Sequence, residues 1–181
     1  MARISIPATA ADAPAAAQPL LATVQAALGT VPNLHRLVAN SPATLDGLLS
    51  LGGALGKGAL KPKTREAIAL AVANVNHCTY CNSAHGYIAK NLLKVGDDEI
   101  AANRQGGSTD AFTNAAIVFA KSITEKRGAV DAAEVEAVRA AGYTDAQILE
   151  IVGHVALNTL TNYVNEVFKT DLDFPVAEIV G

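Results

Sequence analysis

Apolar residues recur every three to four positions along most of the chain, in segments separated by polar residues and glycines. This period is typical of one face of an α-helix. Leu20, Leu21, Val24 and Leu28 show it first, and Gly29 ends their segment. The same pattern predicts further helices over residues 33–39, 65–75, 78–93, 113–126 and 145–168, and others that begin near residues 42, 97 and 132.

Several of these predicted helices carry recognisable start signals. Ser41 followed by Pro42 is typical of an N-cap residue with proline at the first helical position. Thr144 and Gln147 have the spacing of a capping box, in which each side chain bonds to the other's backbone N–H. Residues 61–64 are interpreted as a loop that leads into the helix over residues 65–75.

The composition favours the same fold class. Half of the 181 residues are hydrophobic and 36 are alanine, a strong helix former, while β-branched and aromatic runs that mark strands are scarce. We therefore predict an all-α fold, a compact bundle of about eight helices. Its expected parts are a flexible arm over residues 1–16, a single helical domain over residues 17–170 and an extended tail over residues 171–181.

Charge and hydropathy limit the possible partners. The formal net charge is −3 without any block of five like charges, so the sequence indicates no nucleic-acid partner. The longest apolar stretch in the middle of the chain, residues 67–73, is far shorter than a membrane span. The alanine-rich first segment is interrupted by prolines and has Arg3 as its only positive side chain, unlike a secretory signal. We expect a soluble, cytoplasmic protein with no membrane partner.

The most informative residues are the chain's two cysteines, Cys78 and Cys81, and His85. At positions i, i+3 and i+7 they share one face of the predicted helix. Cys78 comes at the helix start, where free N–H groups and positive potential favour a thiolate, and His85 can accept the Cys81 proton or pair with its thiolate. Two thiols at this spacing can close a disulfide within one turn, so the pair can cycle between dithiol and disulfide.

Other interpretations of this group stay open. The cysteines can be small buried hydrophobic residues, or the group can bind zinc together with His77 or Glu66, although no second Cys/His pair exists. Attachment of a c-type haem is excluded because Asn82 stands where that motif needs histidine. Glu66, near the start of the preceding helix, is a candidate to orient His85 or to shuttle protons.

The remaining polar and aromatic residues are predicted to be structural rather than catalytic. Asn158, Asn162 and Asn165 lie at i, i+4 and i+7 on one face of the last helix, which predicts a buried polar seam or a subunit contact. The other residues predicted to be structural are His35, His77, His154, Tyr80 and Tyr87.

The arrangement Glu66-(x11)-Cys78-Thr-Tyr-Cys81-Asn-Ser-Ala-His85 resembles the signature of the AhpD-like alkylhydroperoxidases, within the carboxymuconolactone decarboxylase family. The surroundings are similar too: residues 60–66 before the apolar helix, Asn76 ahead of the first cysteine, and the segments over residues 32–42 and 145–162. The resemblance covers roughly residues 30–170. One departure is Tyr80, which stands where the best-studied branch has a histidine and points to the broader CxxC-containing branch.

The resemblance implies an all-helical fold that assembles into homotrimers or homohexamers, with the redox site near a subunit interface. By matching positions, Cys81 would be the peroxidatic thiol and Cys78 the resolving thiol. His85 and Glu66 would form a proton relay with a water between them. Members with the cysteine pair reduce peroxides through a thiol cycle or pass reducing equivalents to a peroxiredoxin.

The sequence therefore predicts a thiol-dependent peroxidase that acts on a small hydroperoxide and is restored by an external dithiol, with no need for flavin, haem or metal. The alternative is a disulfide reductase or redox adaptor that serves a partner protein such as a peroxiredoxin. A metal-binding or purely structural helical protein is the next alternative. Lactone decarboxylation is disfavoured, because the decarboxylase branch proper lacks the cysteine pair.

Overall fold

Helices form all the regular structure of the described residues, and the predicted all-α fold is confirmed. The computed structural model describes residues 1–177 and 179. Within them, two 3-10 helices, Ala10–Asp12 and Ala15–Ala17, precede nine α-helices. The α-helices are α1 (Gln18–Leu28), α2 (Asn33–Val38), α3 (Pro42–Gly56), α4 (Pro62–Val75), α5 (Thr79–Asn91), α6 (Asp97–Gln105), α7 (Ala111–Glu125), α8 (Ala132–Ala140) and α9 (Asp145–Phe168).

The predicted start and stop signals are found in place. The Ser41 side chain accepts a hydrogen bond from the Thr44 backbone N–H and caps α3, and Thr144 forms the capping box that opens α9. Gly29 ends α1 with a φ of 74°, a left-handed conformation that glycine adopts without steric cost.

The start of α4 differs from the prediction. The helix begins at Pro62 rather than at residue 65, with Lys61 as its N-cap residue. Proline fits the first helical position, because its missing N–H would have no partner there and its φ is already helical. The segment interpreted as a loop is therefore the first turn of α4, and Glu66 lies in the second turn.

Helix α4 is the central element, packed against α5, α6, α7 and α9. Small side chains let these four neighbours approach it closely, because alanine adds only one methyl group to the helix surface. The buried residues of α4 are Thr64, Ala67, Ile68, Ala69, Leu70, Ala71, Val72 and Ala73. Helix α4 therefore holds Glu66 near one end and Asn76, its C-cap residue, at the other in fixed positions.

Helix α9 has two different faces over its 24 residues. Its buried face is apolar at Ile148 and Ile151 and changes to asparagine in the second half. Its outer face carries exposed apolar side chains, at Leu149, Val152, Leu160, Tyr163 and Val167. Neither α9 nor any other helix in the described part of the chain has the length and apolarity needed to cross a membrane.

The N-terminal segment, expected to be a flexible arm, lies against the helical body. The Arg3 backbone N–H donates to the Phe168 carbonyl at 2.7 Å, and the Arg3 guanidinium donates to the Val167 carbonyl at 2.8 Å. Ala13 and Ala17 are buried in the same hydrophobic cluster as the two cysteines. The division of the chain into arm, domain and tail stays a prediction, and residues 178, 180 and 181 of the expected tail lie outside the described residues.

Candidate active site

The turn between α4 and α5 places Cys78 at a helix start. His77 has a φ of 53° and breaks the chain direction, and the Cys78 backbone N–H then donates to the Ala73 carbonyl at 2.9 Å. Cys78 is the N-cap residue of α5, and its Sγ accepts the Cys81 backbone N–H at 3.2 Å. The sulfur thus takes the place of the oxygen that usually caps a helix. Cys78 and Cys81 are both buried free thiols that meet within one helical turn.

The two cysteines differ in their acidity. Burial raises the pKa of Cys81, but the hydrogen bond from the Cys78 thiol, the positive charge of His85, the Asn165 amide hydrogen bond and the nearby Asn162 amide outweigh it and lower the pKa to about 7. The pKa of Cys78 is raised, first because its thiol donates to Cys81 and second because it is buried. Cys81 is therefore the sulfur that ionises, and Cys78 remains the thiol that stabilises it.

His85 lies one turn after Cys81 and pairs with Glu66 across the interface of α4 and α5. His85 Nδ1 and Glu66 Oε2 are 2.8 Å apart, and the two side chains are only 23% and 20% exposed. Burial lowers the pKa of His85, but the charge and hydrogen bond of Glu66 outweigh it, so the pKa is raised. The contact is direct, which corrects the expectation of a water between the two groups. Glu66 thus favours the charged imidazole that stabilises the Cys81 thiolate.

The asparagine stripe of α9 is buried, as the sequence predicts, but it faces the thiols. The Asn165 side-chain amide donates to Cys81 Sγ at 3.2 Å. Asn162 accepts a hydrogen bond from the Asn76 amide at 2.9 Å, and Asn158 donates to the His154 carbonyl. Sequence reasoning missed the link to the sulfur. The spacing of the amides marks a buried face but does not say which helix packs on it.

Tyr80 ties the C-terminal segment over the first turn of α5. Its hydroxyl donates to Asp173 Oδ1 at 2.7 Å and accepts the Leu34 backbone N–H at 3.1 Å. Its ring meets the Phe174 ring edge-on, with centroids 5.7 Å apart. Burial, assisted by Asp173, raises the pKa of Tyr80. The predicted packing role agrees with this arrangement.

A pocket of about 280 Å³ opens onto Cys81 and His85. Cys78 and Glu66 are not among the residues that line it. Its walls are mainly apolar, formed by Leu28, Pro32, Leu34, Leu48, Leu49, Ala84, Ile88, Leu157 and Phe174. His35 also lines the pocket, although only a structural role is predicted for it from the sequence, and burial lowers its pKa. The pocket therefore gives small apolar molecules access to one sulfur and one imidazole.

The zinc interpretation finds no ligand set in the described residues, where no three His, Cys, Asp or Glu side chains are arranged to hold a metal ion. His77 lines a separate surface groove with Glu166 and Lys169 rather than the thiol pocket. His154 is buried on α9, and burial lowers its pKa.

The helical arrangement is that of the AhpD-like fold, which is also found in solved structures of AhpD-core proteins. Residues 42–126, which contain Glu66, both cysteines and His85, match the model of the Carboxymuconolactone decarboxylase family. This match supports the resemblance seen in the sequence. Among curated proteins, no sequence matches the chain significantly.

Solved structures agree with this assignment. An alkylhydroperoxidase AhpD core, an uncharacterized peroxidase-related protein from Ralstonia eutropha JMP134, is 27% identical with a TM-score of 0.83, covering 95% of this chain and 92% of that one. A peroxidase-related protein from Silicibacter sp. TM1040 is 26% identical with a TM-score of 0.79, covering 94% and 91%. A cysteine-to-alanine variant of the debrominase Bmp8, in complex with 2,3,4-tribromopyrrole, is 18% identical with a TM-score of 0.80, covering 96% and 94%. At that identity the last likeness shows the fold alone.

Proposed function

We propose that the protein is a thiol-dependent peroxidase that reduces hydroperoxides through a dithiol–disulfide cycle of Cys78 and Cys81. The observation that carries this proposal is the asymmetry of the two sulfurs. Cys81 lines the pocket beside His85 and has a pKa of about 7, whereas Cys78 does not line the pocket, has a raised pKa and is hydrogen-bonded to Cys81. A reactive thiolate with a second thiol next to it is the arrangement of a peroxidatic and a resolving cysteine.

The first step uses the charges already present at the site. The Cys81 thiolate attacks the terminal oxygen of the hydroperoxide and the O–O bond breaks. The leaving alkoxide takes a proton from the imidazolium of His85 and departs as an alcohol. Cys81 is then a sulfenic acid and His85 is neutral. Glu66 holds the ring by its Nδ1 atom, which leaves the other ring nitrogen for this transfer.

The second step closes the disulfide. The Cys78 sulfur attacks the Cys81 sulfur, and the hydroxyl group leaves with the Cys78 proton as water. Because the Cys78 sulfur already contacts the first turn of α5, this step needs little movement of the chain. An external dithiol then reduces the disulfide and is itself oxidised, which restores both thiols.

A matched pair of variants tests the proposal, with cumene hydroperoxide as oxidant and dithiothreitol as reductant. Cys81→Ser should lose peroxide consumption entirely. Cys78→Ser should still form a sulfenic acid on Cys81 in a single turnover, which a dimedone adduct detected by mass spectrometry would reveal. Full turnover in Cys81→Ser would refute the mechanism. Consumption that requires an added peroxiredoxin would instead favour the redox adaptor, and activity on a lactone that survives loss of both cysteines would favour decarboxylation.

We also propose that the chain self-assembles through the outer face of α9. The exposed apolar residues from Leu149 to Val167 lie within one side of the helix and extend over about 27 Å at 1.5 Å per residue. A contiguous apolar surface of this kind marks protein interaction sites. Sedimentation or light scattering of the purified protein would give the mass of the assembly.

A further inference from the structure

We propose that Asn165 is a positioning residue for the reactive thiol, and that its side-chain amide holds the Cys81 sulfur at the pocket through an N–H···S hydrogen bond. This inference rests on the proposed function, because it assigns a part in the same site. It concerns a residue of α9, outside the Glu/Cys/Cys/His signature.

The contact itself is short and enclosed. Asn165 Nδ2 lies 3.2 Å from Cys81 Sγ, and the two side chains are 2% exposed each. Water is therefore excluded from the bond, and hydrogen bonds are electrostatically stronger in such surroundings. Because the donor is a neutral amide, it can hold the sulfur in both its thiol and its thiolate state.

The neighbouring amide points to the same role. Asn162 lies three residues earlier on α9 and is 0% exposed. Its carbonyl oxygen is occupied by the Asn76 amide, so its N–H₂ group faces away from that contact. That nitrogen and the Asn165 carbonyl oxygen have no hydrogen-bond partner in the described part of the chain. Unpartnered buried amide atoms cost free energy, so they need an explanation beyond packing.

For the Asn162 nitrogen, a negative charge on the nearby Cys81 sulfur provides this explanation, because an amide N–H group can donate to a thiolate. The pKa of Cys81 is lowered despite its burial, and after the Cys78 thiol and His85, the amides of Asn165 and Asn162 are the contributing groups. Amide N–H groups aimed at a site where negative charge develops are a general device for stabilising it. The α9 amides thus act on the sulfur from a different helix than α5, which carries it.

The test measures thiol reactivity without any peroxide. The alkylation rate of Cys81 by iodoacetamide is followed from about pH 5 to about pH 10, with the modified residue located by peptide mass spectrometry. In Asn165→Leu we expect the midpoint of the rate to rise by about one pH unit, so that the rate below the midpoint falls about tenfold, which corresponds to about 1.4 kcal/mol. Asn165→Ala, which inserts no larger apolar group, should shift the midpoint in the same direction.

Asn103→Leu is the matched control, because Asn103 is a buried asparagine of α6 that does not line the thiol pocket. It should lower the melting temperature and leave the midpoint unchanged. The proposal is overturned if both Asn165 variants keep the wild-type midpoint, or if Asn103→Leu moves it equally. A wild-type protein with the low midpoint that consumes no peroxide would refute the peroxidase function and leave the role of Asn165 intact.

Discussion

The pair of Glu66 and His85 allows one perturbation to be followed in both acidity and stability. Glu66→Gln keeps the size of the side chain and removes its charge from a contact of 2.8 Å. In the native protein burial lowers the pKa of His85, and Glu66 more than offsets this effect. Without the carboxylate, burial is the main remaining influence. We therefore expect the pKa of His85 to fall below its ordinary value of about 6.5.

The size of the effect follows from the geometry. Two unit charges about 4 Å apart at an effective dielectric constant of about 20 attract by about 4 kcal/mol, and the burial of both groups offsets much of this. We therefore expect Glu66→Gln to lose about 1–2 kcal/mol of stability at pH values where His85 is charged. Because the pKa of His85 is raised in the folded state, the stability that the Glu66–His85 pair contributes is fully present below the unfolded pKa of His85. It is lost as the pH rises through the folded pKa.

The assay is an NMR titration of the His85 ring, combined with thermal unfolding near pH 5.5 and near pH 9. Glu66→Gln should melt about 4 °C below the wild type at the lower pH and much closer to it at the higher pH. Glu99→Gln is the control: burial raises the pKa of Glu99, but hydrogen bonds from Ser108 and Thr109 lower it overall. Both assay pH values lie above its unfolded pKa of about 4.3, so the loss of stability should be nearly the same at the two. An unchanged His85 pKa in Glu66→Gln would refute the reasoning.

Three further predictions test other parts of the structure. Iodoacetamide should label Cys81 before Cys78, because only Cys81 lines the pocket and ionises near neutral pH; the reverse order in peptide mass spectra would contradict the assignment. Leu160→Asp should reduce the mass of the assembly in light scattering, and an unchanged mass would exclude the α9 face as its interface. Ala71→Leu should cost about 1–3 kcal/mol by overpacking the enclosed α4, seen as a lower melting temperature, while an unchanged one would mean that the site has room.

The helices and the thiol motif could be predicted from the sequence because both depend on local geometry. Ser41, Thr144 and Gly29 mark their helix ends through bonds within a few residues. Cys81 and His85 share a face simply because they lie one turn apart. Pro62 shows the limit of such reasoning, since a proline next to two lysines is typical of a loop and equally of a first helical turn.

The rest of the site depends on contacts between distant parts of the chain. Asn165 reaches Cys81 across 84 positions, and Asp173 reaches Tyr80 across 93. Each contact exists only because α9 and the segment after it pack over the start of α5, and no local pattern encodes that packing. The same holds for His35, whose helix α2 forms one wall of the pocket. From the sequence, the link between Glu66 and His85 is a hypothesis that the family resemblance strengthens, and the contact itself depends on the packing of α4 against α5.

Because α9 has two faces, substitutions on its exposed face can affect the Cys81 sulfur. Leu160 and Tyr163 are exposed on the outside, and Asn162 and Asn165 are buried on the inside of the same rigid rod. A partner protein that tilts or shifts α9 also moves Asn162 and Asn165, because the helix is rigid. The hydrogen bond from Asn165 to Cys81 then weakens, since hydrogen bonds weaken steeply once distance and angle depart from their optimum. Substitutions on the exterior of this helix are thus a route by which evolution or an engineer adjusts the nucleophile while every pocket residue stays the same.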